Sequence, residues 1–503
     1  MTQPTALDRL QRRLDAAWRA NLPGAMDDHL VVVLPSFGIG ESLLAHYAAR
    51  ASALEHRFVV SVLMLGRLPG AHLVYLLSQA PEPAVWDHYL ALLPEAARSD
   101  ARQRFTVVGL DDPRPLSVAT KLLARPEVLK QVRRLCAGRL AFVEPWNVTA
   151  AEVAVAQAID VPILGTLPDR WPLGYKSAGR RLFAAAGVPA PTGSEDVHDL
   201  EEVCAATSGI VAAEPDSVGV VVKHDNSGAG DGNVVVRFDR GRDPLEQVRE
   251  TWAGLPAWYV DDLRAGGVVE QLLDAARYTS PSAQVDLRPD GGVTVLATHE
   301  QLVGGENGQV FLGCRFPADP GYAARLGEYA ASVGEVLAAQ GCRGRVAVDF
   351  VATHAEVEGD DGGWEVRALE VNLRKGGTTH PYCVLRNLVP GRYDVAAGQW
   401  RSDADGSPRC YVATDNLVFP SWRGIPVAEV LAATRSDGLH FDAARGSGVV
   451  LHMLSGLAVD GRCGLTAIAH TPDEADRFLE RTRNVIDRVA AGATPSGLAE
   501  VVS

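Results

Sequence analysis

Lysine is rare in this sequence, and a long apolar segment is missing from it altogether. Only five of the 48 basic residues are lysines, so a specific role is expected more readily where a lysine persists. No apolar run approaches the roughly 20 residues that a membrane-spanning helix needs, and the N-terminus lacks the basic and apolar parts of a secretory signal. A membrane protein is therefore excluded, and we expect a soluble, cytoplasmic protein.

Blocks of like charge are missing as well. The net charge is −14, from 62 acidic against 48 basic residues. Most of such a surface repels the phosphate backbone of a nucleic acid. A nucleic-acid-binding function is therefore not expected.

The seven cysteines are scattered, and no two of them are separated by two residues. A zinc ribbon or a disulfide framework needs closer and more regular spacing, so buried reduced thiols are predicted instead. The GxSxG and HExxH motifs are absent too. No activated serine nucleophile and no zinc helix of those types is expected.

What the sequence does contain is typical of a globular protein of about three domains. In the first segment, short apolar runs alternate with helical stretches: HLVVVL, FVVSVLML, RFTVVGL, RLAFVEP and VPILGT. This alternation predicts a parallel α/β layer over residues 28–170. Gly38-Ile39-Gly40 forms half of a dinucleotide fingerprint, but Leu43 replaces its third glycine, so an ordinary strand-to-helix turn is favoured.

A second kind of organisation begins near Gly174. A helix closed by Gly187 is followed by the strands GVVVKHD and NVVVRFD around the glycine-rich NSGAGDG, then by two further strand pairs and a small α+β tail. The predicted fold class is α/β: a parallel domain, two α+β lobes and a C-terminal lobe. The predicted boundaries are 1–170, 171–272, 273–395 and 396–503.

The strand ending in Glu370-Val371-Asn372-Leu373-Arg374 carries the most informative pattern. Glu370, Asn372 and Arg374 alternate and therefore share one face, and Asp349 on the preceding strand can meet Glu370. Two carboxylates and an amide oxygen suit magnesium with nucleotide phosphates, and the guanidinium suits an anionic substrate group. A solvated strand face with a salt bridge is the alternative.

The glycine-rich loop suits the same chemistry, because its backbone can aim several N–H groups at phosphate oxygens. Lys223 precedes this loop and Lys176 opens the upstream helix, where phosphate charge needs neutralising. A plain hairpin tip is the alternative. The loop residues expected to bind phosphate are Ser227, Gly228, Ala229 and Gly230.

The extended apolar run after Gly267 offers backbone hydrogen bonds to an adenine edge between two lobes, although an ordinary core strand is equally compatible with it. The residues concerned are Glu270, Gln271, Leu272 and Leu273.

Taken in order, these motifs resemble the ATP-grasp superfamily over residues 171–385. The matching pieces are Lys176 with AAAGVPAP, Lys223 with NSGAGDGN, Glu270, Asp349, and EVNLR with THP. Further segments, among them YTSPSAQVDL and THEQLVGGENGQVFLG, are similar to the pheganomycin-type peptide ligases, which have a domain before the ATP-grasp core and one after it.

The resemblance implies ATP and Mg²⁺, with Mn²⁺ as an alternative metal. It implies phosphate contacts for Lys176, Lys223 and the loop, and adenine binding around Glu270. The metal ligands that it implies are Asp349, Glu370 and Asn372, with Arg374 at the acyl phosphate. The ribose ligand stays open, since Asp274 and Arg277 follow the hinge where the family often has an acidic residue.

The expected function is ATP-dependent amide formation through an acyl phosphate, joining a small amino-acid-like acid to an amino acid or peptide amine. Arg315 in GCRFP is expected to assist Arg374 with the acid. Two alternatives remain: a small-molecule kinase on the same scaffold, and a nucleotide-binding module without catalysis. The sequence is compatible with a homo-oligomer.

Overall fold

The computed structural model describes residues 5–38, 50–227, 232–273, 277–304, 310–354 and 363–493. Its first sheet consists of four parallel strands in the order β3-β2-β1-β4. The strands are β1 (His29–Leu34), β2 (Ala71–Leu77), β3 (Phe105–Gly109) and β4 (Leu140–Pro145). The helices of this region are α1 (Ala6–Gln11), α2 (Leu14–Ala20), α3 (Ala51–Glu55), α4 (Pro83–Ala91), α5 (Glu95–Ala101), α6 (Val118–Leu123), α7 (Pro126–Cys136) and α8 (Ala150–Ile159), with 3-10 helices at His56–Gly66 and Pro168–Gly174.

The prediction for the run FVVSVLML is wrong, because it forms part of the 3-10 helix His56–Gly66 and not a strand. An apolar run of this length does not distinguish a buried strand from a buried helix. The second strand of the sheet is instead β2, which was not among the predicted strands. VPILGT contributes a single bridge, between Val143 and Ile163. The predicted helix after Gly40 begins in residues 39–49, which lie outside the described residues.

The second sheet is antiparallel and has the order β5-β8-β6-β7. Its strands are β5 (Gly193–Ser194), β6 (Gly219–His224), β7 (Asn233–Arg237) and β8 (Gly267–Gln271). The helices are α9 (Lys176–Ala186), α10 (Leu200–Ala213), α11 (Pro244–Ala253) and α12 (Ala257–Leu263). The predicted hairpin is present, with Lys223 opposite Asn233. Helix α9 ends at Gly187 as predicted, where φ is +68°.

The third sheet contains eleven strands, eight of them in the order β14-β13-β10-β11-β12-β17-β16-β15. The strands are β9 (Arg277–Thr279), β10 (Pro281–Leu287), β11 (Val293–Gly304), β12 (Val310–Phe316), β13 (Gly344–His354), β14 (Trp364–Asn372), β15 (Gly391–Asp394), β16 (Gln399–Ser402), β17 (Pro408–Val418), β18 (Gly448–His452) and β19 (Arg462–Ala469). The helices are α13 (Ala323–Ala339), α14 (Thr379–Leu388), α15 (Val427–Ser436), α16 (Gly456–Val459) and α17 (Pro472–Ala493), with a 3-10 turn at Pro420–Trp422.

Helix α13 packs on this sheet through a regular apolar stripe. Leu326, Ala330, Val333 and Leu337 recur at helical spacing and are all buried in one core with Phe350. This core fixes one face of β10 and β13, so the alternate residues of those strands point away from α13. The described residues thus form a mixed α/β fold, and the predicted fold class is confirmed.

The third sheet crosses the predicted domain boundary between residues 395 and 396, because strands from both sides of it pair with each other. β12 and β17 pair with Arg315 opposite Val412, and β17 in turn pairs with β19. The C-terminal segment also shares an apolar core with the first sheet: Tyr89 donates a hydrogen bond to the carbonyl oxygen of Leu451, at 3.1 Å. The two ends of the chain therefore pack together.

In the described ranges, no helix is both long enough and apolar enough to cross a membrane. All seven cysteines are unpaired thiols, as predicted.

Candidate active site

A pair of carboxylates lies on neighbouring strands of the third sheet. Asp349 on β13 is directly opposite Glu370 on β14, as the alternation of the sequence predicts. Asn372, two residues further on, donates through Nδ2 to Asp349 Oδ2 at 2.8 Å. From the neighbouring strand β11, Gln301 Nε2 donates to Asp349 Oδ1 at 2.9 Å. Asp349 is therefore held by two amides and faces a second carboxylate.

The electrostatic state of Asp349 shows that the cations beside this pair do not fully compensate its two carboxylates. Burial raises the pKa of Asp349 to about 7, and the Glu370 carboxylate adds to the rise, while Arg374 only partly opposes it. Two neighbouring carboxylates disfavour each other's ionised forms. A cation placed between them would relieve that repulsion.

Lys176 is the first residue of α9, and its ammonium group lies between the second and third sheets. Asp225, just after β6, accepts hydrogen bonds from the backbone N (2.8 Å) and Oγ (2.7 Å) of Ser177, which fixes the start of the helix. Lys176 Nζ donates to the carbonyl oxygen and Oγ of Ser227, both at 3.0 Å. It also lies 3.9 Å from Glu370 Oε2. One ammonium therefore connects the start of the glycine-rich loop to the carboxylate pair.

Glu270 lies in the middle of a buried ion-pair group. Its carboxylate accepts a hydrogen bond from Arg180 Nη1 at 2.8 Å and a short one from Lys223 Nζ. Burial alone would raise the pKa of Glu270, but the Lys223 and Arg180 cations outweigh burial, and the pKa is lowered. The Glu270 side chain therefore holds the Lys223 ammonium in place and is not itself free for a ligand.

The segment from Glu270 to Leu273, the predicted adenine-binding hinge, already uses two of its backbone N–H groups in hydrogen bonds within the protein. Gln271 N donates to the carbonyl oxygen of Thr192 at 2.7 Å, and Leu272 N donates to that of Gly219 at 2.9 Å. Leu273 directly follows these two residues at the end of the described range.

Arg374 follows β14 and stacks on an aromatic ring from the first sheet. Its guanidinium carbon lies 4.8 Å from the centre of the Trp146 ring. Burial lowers the pKa of Arg374, and the Glu370 and Asp349 carboxylates oppose this. The neighbouring Lys375 pairs with Glu144, also from the first sheet, at 2.7 Å. The end of β14 therefore meets the carboxyl end of β4.

Arg315 is not brought to this site, and the expectation that it assists Arg374 is corrected. Across the sheet, Asp349 is paired with Ser282, and Ser282 with His299 on β11. Arg315 on β12 is paired with Glu300, the residue after His299. Because successive side chains of a strand point to opposite faces, Arg315 lies on the other face from Asp349. There its Nη1 pairs with Asp476 of α17 at 2.6 Å.

The expected loop contacts Gly228, Ala229 and Gly230 lie outside the described residues. Three contacts of the site were not anticipated. Arg180 stands four residues after Lys176 on the same helix, a spacing that could have indicated it. Gln301 and Trp146 are brought in by the register of β11 and by packing of the first sheet, and no local pattern marks them.

A second buried charged group is formed by Arg57, His380, Asp415 and His452. Ligand atoms of the last three lie within 4.8 Å of one another, a spacing that could hold a metal ion. However, Arg57 Nε lies 2.8 Å from Asp415 Oδ2, and His380 Nε2 lies 2.9 Å from Asp415 Oδ1. The Asp415 charge is thus already compensated, which favours a structural group.

Two family profiles and two characterised proteins match parts of the chain. The IQCH-like ATP-grasp family profile matches residues 249–377, and the PGM1 C-terminal domain profile matches residues 429–482. The chain is 31% identical over 440 residues to L-propargylglycine–L-glutamate ligase of Streptantibioticus cattleyicolor, covering 83% of this chain and 86% of that protein. It is 26% identical over 305 residues to IQ motif-containing protein H of Danio rerio, covering 51% of this chain and 28% of that protein.

Solved structures show the same fold at low identity. The biotin carboxylase–β,γ-ATP complex from Campylobacter jejuni has a TM-score of 0.52 and 12% identity, covering 92% of this chain and 94% of that one. The bicarbonate-bound biotin carboxylase domain of a thermophilic 2-oxoglutarate carboxylase has a TM-score of 0.51 and 12% identity, covering 91% and 90%. The fold is that of the ATP-grasp enzymes. From the ligase that it matches over most of its length, the chain belongs to the ATP-grasp peptide ligases, and the predicted ATP-dependent ligase class is confirmed.

Proposed function

We propose that this protein activates the carboxylate of a small amino acid with Mg²⁺-ATP and joins it to the amine of an amino acid or peptide, releasing ADP and phosphate. The observation that carries the proposal is the Asp349–Glu370 pair, whose two carboxylates are only partly compensated and whose Glu370 Oε2 lies 3.9 Å from Lys176 Nζ. The matched relative is named for L-propargylglycine and L-glutamate, which supports amino acids as both substrates.

The residues at the pair fit a divalent cation. Asp349 and Glu370 supply carboxylate oxygens, and the raised pKa of Asp349 reflects the repulsion that a cation would remove. The Asn372 amide now directs its nitrogen to Asp349, so its oxygen faces a cation there only after the amide turns. Mg²⁺, or Mn²⁺ in its place, would neutralise charge on the nucleotide phosphates.

Lys176 and Lys223 supply the positive charge for the ATP phosphates. Lys176 is already tied to Ser227 at the start of the loop, and Glu270 with Arg180 positions Lys223. We assign further phosphate contacts to the loop residues Gly228, Ala229 and Gly230. We assign the adenine edge to the hinge from Glu270 to Leu273. The N–H groups of Gln271 and Leu272 already bond within the protein, so we assign the donor role to Leu273.

Arg374 is assigned to the carboxylate that receives the γ-phosphoryl group. The substrate carboxylate oxygen attacks phosphorus and ADP leaves. The amine then attacks the acyl carbon, loses a proton, and displaces phosphate as the amide forms. Placement and charge neutralisation contribute most to catalysis in phosphoryl transfer, and the Trp146 ring keeps the Arg374 guanidinium in a fixed plane.

The test is ADP release with pairs of amino acids, followed by hydroxylamine trapping with each acid alone. An acyl phosphate yields a hydroxamate, whereas a kinase that makes a phosphate ester does not. Lys176→Met should abolish ADP release, and the matched control Lys130→Met, an exposed lysine paired with Glu127, should not. Phosphate ester without hydroxamate would establish the kinase alternative.

A further inference from the structure

A cavity of about 90 Å³ lies between the first sheet and α14, next to the Asp349–Glu370 site. Its walls come from the 3-10 helix His56–Gly66, from the end of β4 and from α14 along its length. A single water molecule needs roughly 10–15 Å³. The cavity therefore has room for several water molecules or for a small organic molecule.

One wall of the cavity is apolar. Phe58, Val60 and Met64 of the 3-10 helix line it, together with Leu68 just beyond the helix. Val60 and Leu68 are almost completely buried. This wall suits a small apolar side chain and offers little to a charged one.

The cavity also has an uncompensated positive end. Three of its four cations are paired with carboxylates: Arg57 with Asp415 at 2.8 Å, Arg345 with Asp286 at 2.5 Å, and Lys375 with Glu144 at 2.7 Å. The fourth is Arg386 on α14, which pairs with no carboxylate in the part of the chain that the structure describes.

The neighbours of Arg386 do not cancel its charge. Its positive charge contributes to the lowered pKa of Arg67, which burial mainly causes, so a second cation is close. Asp286 also lies within electrostatic reach, but that carboxylate already accepts two hydrogen bonds from Arg345. An anionic group entering the cavity would find its counter-charge at Arg386.

A hydrogen-bond acceptor for an ammonium group is present at the end nearer the carboxylate pair, because Lys375 is bonded to Oε1 of the Glu144 carboxylate and leaves Oε2 to a ligand. Glu144 lines the cavity and stands two residues before Trp146 in the sequence. The Arg374 guanidinium stacks on the Trp146 ring. Burial alone would raise the pKa of Glu144, but Lys375 outweighs burial and lowers it, so this carboxylate is ionised. An ammonium group at Glu144 would lie beside the place assigned to the activated acid.

We propose that the cavity binds the amine substrate as a free α-amino acid with a small apolar side chain. Arg386 takes its carboxylate, Glu144 takes its ammonium group, and the 3-10 helix wall takes its side chain. This inference rests on the proposed ligase function and adds which substrate enters here and which residues select it. It also gives the first sheet a direct part in substrate recognition.

The test measures binding first, so that it does not depend on turnover. The proteinogenic amino acids and L-propargylglycine are titrated into the purified full chain by calorimetry, each beside its carboxamide. We expect at least one small apolar amino acid to bind, and at least about tenfold more tightly than its carboxamide, because a charge-assisted hydrogen bond to Arg386 is lost in the amide. Arg386→Gln should remove this preference, Arg386→Lys should keep part of it, and the exposed Arg392→Gln on β15 should leave it unchanged.

Two results would overturn the inference: no amino acid binding to the unaltered chain, or an unchanged preference for the carboxylate in Arg386→Gln. In the ligase assay, Arg386→Gln should raise the KM of the amine substrate by about tenfold or more and leave the KM of ATP unaltered. ADP release with an unaltered amine KM in Arg386→Gln would refute the cavity site while retaining the ligase. Amino acid binding without ADP release from any pair would refute the ligase alone.

Discussion

Two buried groups of charges in this protein differ in how they are compensated. At Asp415, one carboxylate meets the Arg57 guanidinium and two imidazoles, and its pKa is held well below the ordinary range, although burial alone would raise it. At Asp349, a carboxylate meets a second carboxylate and two amides, and its pKa is raised to about 7 by burial and by Glu370. The first group is complete without a ligand, whereas we propose that a cation completes the second.

The difference is informative because residue types alone would have ranked the two groups in the reverse order. Two histidines and an aspartate are common metal ligands. The arginine beside Asp415 supplies the charge that a metal would bring, so that group stabilises the junction between α14 and β17. Changes at the two groups should therefore affect different properties of the protein.

The largest effect is expected at the carboxylate pair. Glu370→Gln should lower turnover by about a hundred- to a thousandfold, because it removes one anionic ligand where charge develops in the transition state. The unfolding midpoint should not fall. ADP release measures the first and thermal unfolding the second. Glu365→Gln, an exposed change on the same strand, is the control, and near-normal turnover of Glu370→Gln would contradict the assignment.

At the second group, stability should change instead. Arg57→Met leaves the Asp415 charge buried without its main partner, and the free energy of unfolding should fall by about 3–5 kcal/mol. Denaturant unfolding measures this. Arg50→Met, which breaks a more exposed pair with Asp460, should cost less than about 1 kcal/mol. Equal losses in the two variants would mean that Asp415 does not depend on Arg57.

The same group should make stability depend on pH. Burial lowers the pKa of His380 to about 4, with Asp415 opposing, whereas an unfolded histidine titrates near about 6.5. Between these values the unfolded chain binds a proton that the folded chain does not. The contribution of the neutral His380 side chain to the free energy of unfolding is therefore complete above about pH 6.5. It is lost as the pH falls toward 4, by at most about 3 kcal/mol.

Unfolding free energies of the wild type and His380→Asn, measured from pH 7 to pH 4, test this contribution. The difference between the two proteins should change across the interval. A constant difference would show that His380 keeps the same pKa in both states.

The smallest effect is expected at Arg315. Its pair with Asp476 is 39% and 44% exposed, so Arg315→Gln should cost at most about 1 kcal/mol of stability. Turnover should stay within about twofold, because the side chain lies on the face of the sheet away from Asp349. A tenfold loss of turnover in Arg315→Gln would contradict this placement and support a role of Arg315 in the active site.

The local parts of this site follow from the sequence, and the long-range parts do not. The alternation of Glu370 and Asn372, the pairing with Asp349 and the end of α9 at Gly187 depend on neighbouring residues, and each is present. Arg315 was misplaced because the face of a residue depends on the register between β11 and β12, which spacing within one strand does not fix.

The remaining differences have the same origin. FVVSVLML is apolar throughout, so it carries no period that separates a strand from a helix. The Asp415 group joins residues from three distant parts of the chain, and none of them has a distinctive neighbour in sequence. Its charge balance becomes visible only after the chain has folded.

The apolar core shared by the two ends of the chain determines when folding can finish during synthesis. Tyr89, near one end, needs Leu451 for its buried hydroxyl group, and more than 350 residues separate the two. At translation rates of roughly 5–20 residues per second, the C-terminal part of this core is synthesised some tens of seconds after the N-terminal part. During that interval the apolar surface of the N-terminal part is open to ribosome-associated chaperones, and a chain released early cannot close it.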